Sequence, residues 1–157
     1  HLLYAKSKAD ILITCRTAWN PAQTLLHPKT LVAGIGCNRG TLAEDIIETL
    51  HRACAENSLA VQSVRNLATI DLKEDEAGLL AAAAELDCSV DFYTAAQLNQ
   101  VKNVETSAAV LRATGAKGVA EPAAMLSSRG GRLLLRKQKS AHVTVAIAEV
   151  KKFLLQT

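Results

Sequence analysis

The fold follows from residues 30–44, which read Thr-Leu-Val-Ala-Gly-Ile-Gly-Cys-Asn-Arg-Gly-Thr-Leu-Ala-Glu. Residues 30–35 are apolar on both faces, which is typical of an inner parallel strand covered by helices on each side. A glycine-rich turn follows. Thr41 and Glu44 then have the spacing of a capping box, which predicts a helix from Leu42 to about Ala55. This order of strand, glycine turn and helix indicates an α/β fold.

Two further strand–helix cycles follow. Residues 61–67 and 89–93 are predicted strands. Asp71 with Glu74 predicts the start of a helix that runs to about residue 86, and Thr94 with Gln97 predicts a short helix to about residue 101. Ser107 has the character of an N-cap for another helix, which should end at Gly115. The alternation predicts three α/β/α layers around a mostly parallel sheet.

The C-terminal part departs from this alternation. Glu121-Pro122 is a predicted helix start with proline at the first helical position, and Gly130-Gly131 is a predicted turn. Residues 133–136 and 142–148 are predicted strands joined by a polar loop, 137–140. They form a hairpin-like addition to the sheet, and a short helix is expected after Glu149.

The N-terminal region has a different character. Residues 9–14 are predicted as a short buried strand, whereas Asn20-Pro21 and His27-Pro28 indicate an irregular linker over residues 16–30. We therefore place a domain boundary near Pro28. We expect residues 1–27 to be the tail of a preceding linker region and residues 28–157 to form the main domain.

Composition excludes several classes of protein. Of 157 residues, 49% are apolar and 21% charged, with a net charge of +3, which excludes a disordered tail. The small charge excess and the five aromatic residues disfavour nucleic-acid binding. No apolar run approaches the ~18 residues of a membrane span, and no export signal is visible. We expect a cytoplasmic protein with no membrane or nucleic-acid partner.

Cysteines and histidines are too scattered in sequence to predict a metal site, so no protein-bound metal or cofactor is expected. Cys37 lies near a predicted helix N-terminus beside Arg39, conditions that lower a thiol pKa. Nucleophilic catalysis also needs a base, and His51 and His142 are distant in sequence. An inert thiol is therefore the favoured interpretation of Cys37.

The glycine turn at residues 34–41 is the sharpest candidate site. Backbone N–H groups at a helix N-terminus favour anions, and Arg39 adds a planar cation, although a tight structural turn is the alternative interpretation. The dinucleotide fingerprint G-x-G-x-x-G is not met, because three residues separate Gly36 from Gly40. A Rossmann-type oxidoreductase therefore remains only a further alternative, and the Walker sequence is absent.

Three other clusters carry possible chemistry. Lys73 lies in an acidic first turn, where a cation is unfavourable unless it reaches a ligand or an acid. Glu121 stands among small apolar residues, and in a partly dry pocket it would be a candidate general acid or base. Residues 136–142 form a basic segment, Arg-Lys-Gln-Lys-Ser-Ala-His, which could be a solvated turn or part of a site.

Four segments together resemble one family. They are Gly-Ile-Gly-Cys-Asn-Arg-Gly-Thr at 34–41, Ile-Asp-Leu-Lys-Glu-Asp-Glu at 70–76, Val-Ala-Glu-Pro-Ala-Ala at 119–124, and Lys-Gln-Lys-Ser at 137–140 with Val-Thr-Val-Ala-Ile-Ala at 143–148. The family is the C-terminal domain of the cobalamin-biosynthesis protein CbiG, which also occurs alone as CobE. The resemblance covers residues 28–155.

The resemblance implies an α/β/α domain in cobalamin (vitamin B12) biosynthesis. In CbiG, cobalt-precorrin-5A hydrolase, the δ-lactone of the substrate is opened and acetaldehyde is released. The implied partners are a cobalt-precorrin or other corrinoid, whose macrocycle carries the cobalt, and the N-terminal CbiG domains, with a homodimer as a further expectation. Glu121 is the expected base, with Arg39 steadying an oxyanion. The expected substrate-binding residues are Gly34, Gly36, Cys37, Asn38, Arg39, Gly40, Thr41, Lys73, Glu76, Lys137, Lys139 and Ser140.

A non-catalytic, CobE-like corrinoid-binding or carrier module is the alternative function. Both functions require the four segments to meet along one rim, because a corrin intermediate is an apolar ring fringed with carboxylates. An open α/β sheet binds ligands outside the carboxyl ends of its strands, where the loop after Ile35 should lie.

Overall fold

The computed structural model describes residues 11–17 and 24–151. Its strands are β1 (Ile11–Ile13), β2 (Thr24–Leu26), β3 (Leu31–Cys37), β4 (Val64–Ile70), β5 (Ser89–Tyr93), β6 (Arg132–Lys139) and β7 (Val143–Glu149). Its α-helices are α1 (Ala43–Glu56), α2 (Ala77–Glu85), α3 (Ala95–Asn99), α4 (Ala108–Thr114) and α5 (Ala120–Ser127). Short 3-10 helices, Val61–Ser63 and Asp71–Lys73, flank β4.

Five strands form the central sheet in the order β5-β4-β3-β7-β6. The strands β3, β4 and β5 are parallel, so their carboxyl ends meet at one edge. The strands β6 and β7 form an antiparallel hairpin, and β7 pairs antiparallel with β3 along its whole length. The hairpin-like addition is thus confirmed, and its turn lies at the same edge as the end of β3.

Helices cover both faces of the sheet, which confirms the α/β/α layers. Because side chains alternate along a strand, Leu31, Ala33 and Ile35 pack with α1 and α2, whereas Val32 packs with α3 and α5. All four side chains are fully buried. A Cβ at Gly34 would lie only 1.8 Å from the Ala120 carbonyl oxygen, so this glycine lets α5 approach β3.

The predicted helix starts are only partly correct. The capping box at Thr94 and Gln97 is present, and Ser107 caps α4, which ends at Gly115 with a positive φ of 75°. The other two predicted capping boxes are wrong. The hydroxyl of Thr41 donates to the Asn38 carbonyl, and α1 begins two residues later without a side-chain cap. Asp71 begins a 3-10 turn, and α2 starts at Ala77.

Smaller corrections concern the other element boundaries. The strand expected at residues 61–67 starts only at Val64, because a 3-10 turn occupies the first three positions. Pro122 is the third residue of α5 and not the first. Its missing N–H still costs nothing, because the first four N–H groups of a helix have no intrahelical partner. Residues 152–157, which include most of the expected terminal helix, lie outside the described residues.

The N-terminal prediction needs two corrections. The strand expected at residues 9–14 exists as β1, but Ile11 and Ile13 are 56% and 65% exposed, so it is not buried. The expected linker contains β2, which pairs parallel with β1 in a separate two-stranded sheet. Asn20-Pro21 lies outside the described residues. In the part of the chain that is described, no helix combines the length and apolarity that crossing a membrane requires.

Candidate functional site

A cleft of about 470 Å³ lies where the parallel strands β3 and β4 end. Four chain segments that the sequence analysis singled out line it: the end of β3, the turn after β4, the start of α5, and the end of β6 with the hairpin turn. A fifth segment, from Val104 to Thr114, also lines the cleft and contributes α4. The expectation that the four segments meet along one rim is therefore met by the fold.

The end of β3 forms one wall through Gly36, Cys37 and Asn38. The Asn38 backbone N–H donates to the His142 carbonyl at 3.1 Å, which joins this wall to the hairpin turn. Thr69 of β4 donates its hydroxyl to the Ile35 carbonyl at 2.7 Å. These contacts hold the two strand ends and the turn together as one surface.

Cys37 has the properties of an inert thiol. Burial raises its pKa, and the positive charge of Lys73 opposes this effect without overcoming it. The thiol therefore keeps its proton at neutral pH, where only a thiolate would be a strong nucleophile. Cys37 contributes to the wall of the cleft rather than to covalent chemistry.

The glycine turn already holds an anion of the protein itself. Glu76, only 4% exposed, accepts a hydrogen bond at 2.8 Å from the Gly40 backbone N–H. Its other carboxylate oxygen lies 3.4 Å from the Lys73 ammonium and 3.5 Å from the Arg39 guanidinium. The predicted anion site at Gly40 is thus filled by an internal carboxylate, and Lys73 reaches the acidic neighbour that its position requires.

Arg39 lies outside the cleft. Its guanidinium donates to Asp75 at 2.6 Å and to the Leu72 carbonyl at 3.0 Å. The hydrogen bond between Arg39 and Asp75 raises the pKa of the guanidinium and lowers the pKa of the carboxyl group. Both side chains are exposed, so the pair fixes the loop that carries Lys73 but stabilises the fold little.

Glu121 is buried in the first turn of α5 and lines the cleft. One carboxylate oxygen accepts a hydrogen bond at 2.8 Å from the backbone N–H of Lys137 on β6. Within residues 11–17 and 24–151, the second oxygen makes no hydrogen bond. A carboxylate held by one oxygen, with the other available, can bind or deprotonate a water molecule.

The basic segment is mostly strand and not loop. Lys137 and Lys139 belong to β6, and the turn is confined to residues 140–142, because pairing with β7 continues to Lys139. The Lys137 ammonium contacts Glu105 at 2.7 Å, and this hydrogen bond lowers the pKa of Glu105. The ammonium of Lys139 makes no hydrogen bond or ion pair with any residue that the structure describes, but its charge also helps to lower the pKa of Glu105.

Ser140 also lines the cleft. Its hydroxyl accepts a hydrogen bond from Thr49 of α1 at 3.1 Å and closes the turn onto Val143. Ser140 therefore has a structural role in the position of the hairpin.

The structure divides the candidate residues into two groups. Lining the cleft are Gly36, Cys37, Asn38, Lys73, Glu121, Lys137, Lys139 and Ser140. Outside its lining are Gly34, Arg39, Gly40, Thr41 and Glu76. Gly34 serves helix packing, and the other four build the turn behind Lys73.

Sequence reasoning missed Glu105 and the apolar wall formed by Val104, Ala109, Val110 and Ala113, and it included His142 only as the end of the basic segment, without a role of its own. One signal could have found this wall. Because β5 is parallel to β3 and β4, the segment after Tyr93 leaves the sheet at the same edge as the glycine turn. Among the described residues, no group of three or more His, Cys, Asp or Glu side chains is arranged to hold a metal ion.

Comparisons with known proteins place this chain in one family. Residues 31–148 match the family described as "Cobalamin synthesis G C-terminus". The chain is 38% identical over 152 residues to a cobalt-precorrin-5A hydrolase of Priestia megaterium, covering 93% of this chain but only 41% of that protein.

Two similar proteins match over most of their own length. Protein CobE of a Sinorhizobium species is 38% identical over 130 residues, covering 81% of this chain and 84% of CobE. The crystal structure of a CobE from the cobalamin (vitamin B12) biosynthetic pathway superposes with a TM-score of 0.71 and 38% identity, covering 79% of this chain and 92% of the other. The chain thus spans about two fifths of the hydrolase but most of CobE.

Proposed function

Because the chain belongs to the CbiG C-terminal and CobE family of cobalamin synthesis proteins, we propose that its cleft binds a corrin-ring intermediate. In this proposal the domain is part of a cobalt-precorrin-5A hydrolase, which opens the δ-lactone and releases acetaldehyde. A corrin intermediate is a large apolar ring fringed with acetate and propionate groups. Its ligand site must combine an apolar wall with cations at the rim.

The observation that carries this proposal is the composition of the cleft. Lys73, Lys137 and Lys139 line it together with two acids, Glu105 and Glu121. The apolar side chains of α4 and its preceding loop line the same cleft. Lysines at the rim suit ligand carboxylates, since charge-assisted hydrogen bonds are stronger than neutral ones. An oxidoreductase is not favoured, because the similar proteins are named cobalt-precorrin-5A hydrolase and CobE, and the glycine spacing does not match the dinucleotide fingerprint.

The ion pair between Lys137 and Glu105 gives the rim a way to exchange partners. A carboxylate of the ligand can replace Glu105 on the Lys137 ammonium, because both contacts are of the same type. Glu105 precedes α4, so this exchange would act on the segment that carries the apolar wall.

In the proposed hydrolysis, Glu121 takes a proton from the water that attacks the lactone carbonyl. Glu121 returns this proton to the ring oxygen as the bond between that oxygen and the carbonyl carbon breaks, so the lactone becomes a carboxylic acid and an alcohol. Lys137 holds one Glu121 oxygen through its backbone N–H and thereby orients the carboxylate. The oxyanion that develops on the carbonyl oxygen is stabilised by the lysines of the cleft. Arg39, which the sequence analysis assigned to this task, does not line the cleft, and we replace it here with Lys73 and Lys139.

A second candidate function is a corrinoid-binding module without catalysis. The specific observation in its favour is that CobE, at 38% identity, consists almost entirely of this domain. In the hydrolase interpretation, the proposed partners are the preceding domains of the longer relatives. A homodimer and a cytoplasmic location remain predictions.

Incubation of the chain with cobalt-precorrin-5A separates the two candidates. The hydrolase proposal predicts a change in the corrin absorption spectrum and release of acetaldehyde, measured with alcohol dehydrogenase and NADH. A spectral change without acetaldehyde would assign the isolated domain to binding. If millimolar corrinoid changes neither signal, the cleft does not bind a corrin, and both candidates fail.

A further inference from the structure

One cleft residue has chemistry that the lysines lack. Of the histidines that the structure describes, His142 alone lines the cleft, and its side chain is exposed there in the hairpin turn. Its backbone carbonyl accepts the 3.1 Å hydrogen bond from Asn38, so the position of the residue is fixed independently of the imidazole. Replacement of the side chain therefore should not move the turn.

The imidazole is held on one side only. Its Nδ1 lies 3.4 Å from the side-chain amide of Asn38. Its Nε2 makes no hydrogen bond with any residue in the ranges 11–17 and 24–151. The atom that faces Nδ1 is the amide nitrogen of Asn38, so in this arrangement Nδ1 accepts and the ring proton lies on Nε2. In metal-binding histidines the nitrogen away from the metal instead donates to an oxygen, which leaves the other nitrogen available to the metal. The tautomer with its proton on Nδ1 requires the Asn38 amide to present its oxygen, a terminal rotation that this exposed side chain allows.

We propose that Nε2 of His142 coordinates the cobalt of the bound corrin at an axial position. This inference rests on the proposed function. The four ring nitrogens of a corrin occupy the equatorial plane, so a protein ligand can approach only along the axis. Neutral imidazole is a suitable ligand for first-row transition metals. The Nε2–cobalt bond forms as an axial water molecule leaves, with no change in oxidation state.

The neighbouring cations make this approach specific. Lys139 stands three residues before His142, and Lys137 lies on the same strand as Lys139, so carboxylates at the edge of the ring and the metal at its centre contact one structural unit. The lysines would bind a corrin with or without cobalt. His142, the one histidine among the described residues that line the cleft, would distinguish the two and give the domain a preference for the cobalt-containing ring.

Electron paramagnetic resonance tests the coordination directly. The probe is cobyrinic acid in the cobalt(II) state, a corrin with free carboxylic acids, and the chain carries no polyhistidine tag. A single axial nitrogen splits the cobalt lines into triplets, which become doublets when the histidines are labelled with 15N. We expect this splitting in the unmodified chain and in His51→Ala, whose histidine is exposed on α1 away from the cleft. We expect none in His142→Ala.

Affinities complete the test. The unmodified chain should bind the cobalt corrin about tenfold more tightly than the metal-free ring, which corresponds to about 1.4 kcal/mol, and His142→Ala should bind both alike. Binding of cobyrinic acid without nitrogen splitting, or with splitting that survives in His142→Ala, overturns the coordination but leaves the proposed ligand class intact. If neither ring binds, the proposed function itself fails.

Discussion

The backbone N–H of Lys137 donates a 2.8 Å hydrogen bond to a carboxylate oxygen of Glu121. This contact ties the first turn of α5 to the hairpin strand β6, although the two residues are 16 positions apart. Because Glu121 is buried, the hydrogen bond fixes both the carboxylate and the strand that carries the cleft lysines. Glu121 thus has a structural role that is separable from its proposed catalytic role.

Replacement of Glu121 by glutamine or alanine separates these two roles. Glutamine keeps an oxygen that accepts the Lys137 N–H, so Glu121→Gln should retain wild-type stability. Alanine leaves that N–H without its partner and should cost about 1–3 kcal/mol. Urea denaturation measures both effects.

The rate of acetaldehyde release measures the proposed catalytic role of Glu121. A glutamine cannot take up the proton, so Glu121→Gln should slow release by about 10²–10⁴-fold with little effect on corrin binding. A Glu121→Gln variant with unchanged acetaldehyde release would remove Glu121 as the base.

Lys139 and Arg39 form a matched pair of cations inside and outside the cleft. Lys139→Ala should weaken the binding of a corrin polycarboxylic acid about tenfold, because a ligand carboxylate loses its charged partner. Arg39→Ala should leave the dissociation constant within about twofold, because its guanidinium contacts Asp75 and does not line the cleft. Absorption titrations at two salt concentrations provide the measurement. Equal losses in the two variants would contradict the assignment and return Arg39 to the site.

Substitution of Gly34 and of Gly36 by alanine tests which of the two glycines is needed for the packing of α5 against β3. A Cβ at Gly34 would lie 1.8 Å from the Ala120 carbonyl oxygen, so Gly34→Ala must push α5 away from β3 and should cost about 3 kcal/mol or more. At Gly36 the nearest side-chain atoms lie 3.7 and 3.9 Å away, which is ordinary contact. Gly36→Ala should therefore cost less than about 1 kcal/mol. Thermal and urea unfolding of both variants measure the difference, and similar losses would show that close approach of α5 does not require Gly34.

The raised pKa of the Cys54 thiol predicts that the protein loses stability at alkaline pH. Burial raises the pKa of this thiol from 9.0 to about 11. Between these values the unfolded chain loses the proton while the folded chain keeps it. Stability from this group is therefore complete below about pH 9 and is lost as the pH rises through about 11, by at most about 3 kcal/mol.

The control for this prediction is Cys54→Ala. It keeps Cys37 and Cys88, whose pKa values are also raised by burial, so the difference in pH dependence between the two chains isolates Cys54. Parallel curves of unfolding free energy between pH 8.5 and 11 would show that the Cys54 thiol is not protected in the fold.

The capping boxes show why some helix starts were predicted correctly from the sequence and others were not. The pair Thr94 and Gln97 forms the expected reciprocal hydrogen bonds, and neither side chain has another hydrogen-bond partner among the described residues. At Thr41 the hydroxyl instead closes the glycine turn onto Asn38, and α2 packs so closely that a Cβ at Gly78 would lie 1.9 Å from the Thr41 carbonyl oxygen. Spacing in sequence is the same in both places, and tertiary contacts decide which bond forms.

The pattern of apolar residues in the chain predicted the α/β class, the inner strand β3 and the hairpin, and four short motifs carried the resemblance to the family. Such features depend on side-chain periodicity and on motifs that each lie within one short segment. It could not establish which cations face the ligand. Arg39 and Lys139 are both plausible in sequence, and only the fold places the first on Asp75 and the second in the cleft. The same holds for Glu76, whose carboxylate fills the glycine turn from 36 residues away. Partners so far apart along the chain meet only through the packing of α2 against α1, and no local pattern encodes that distance.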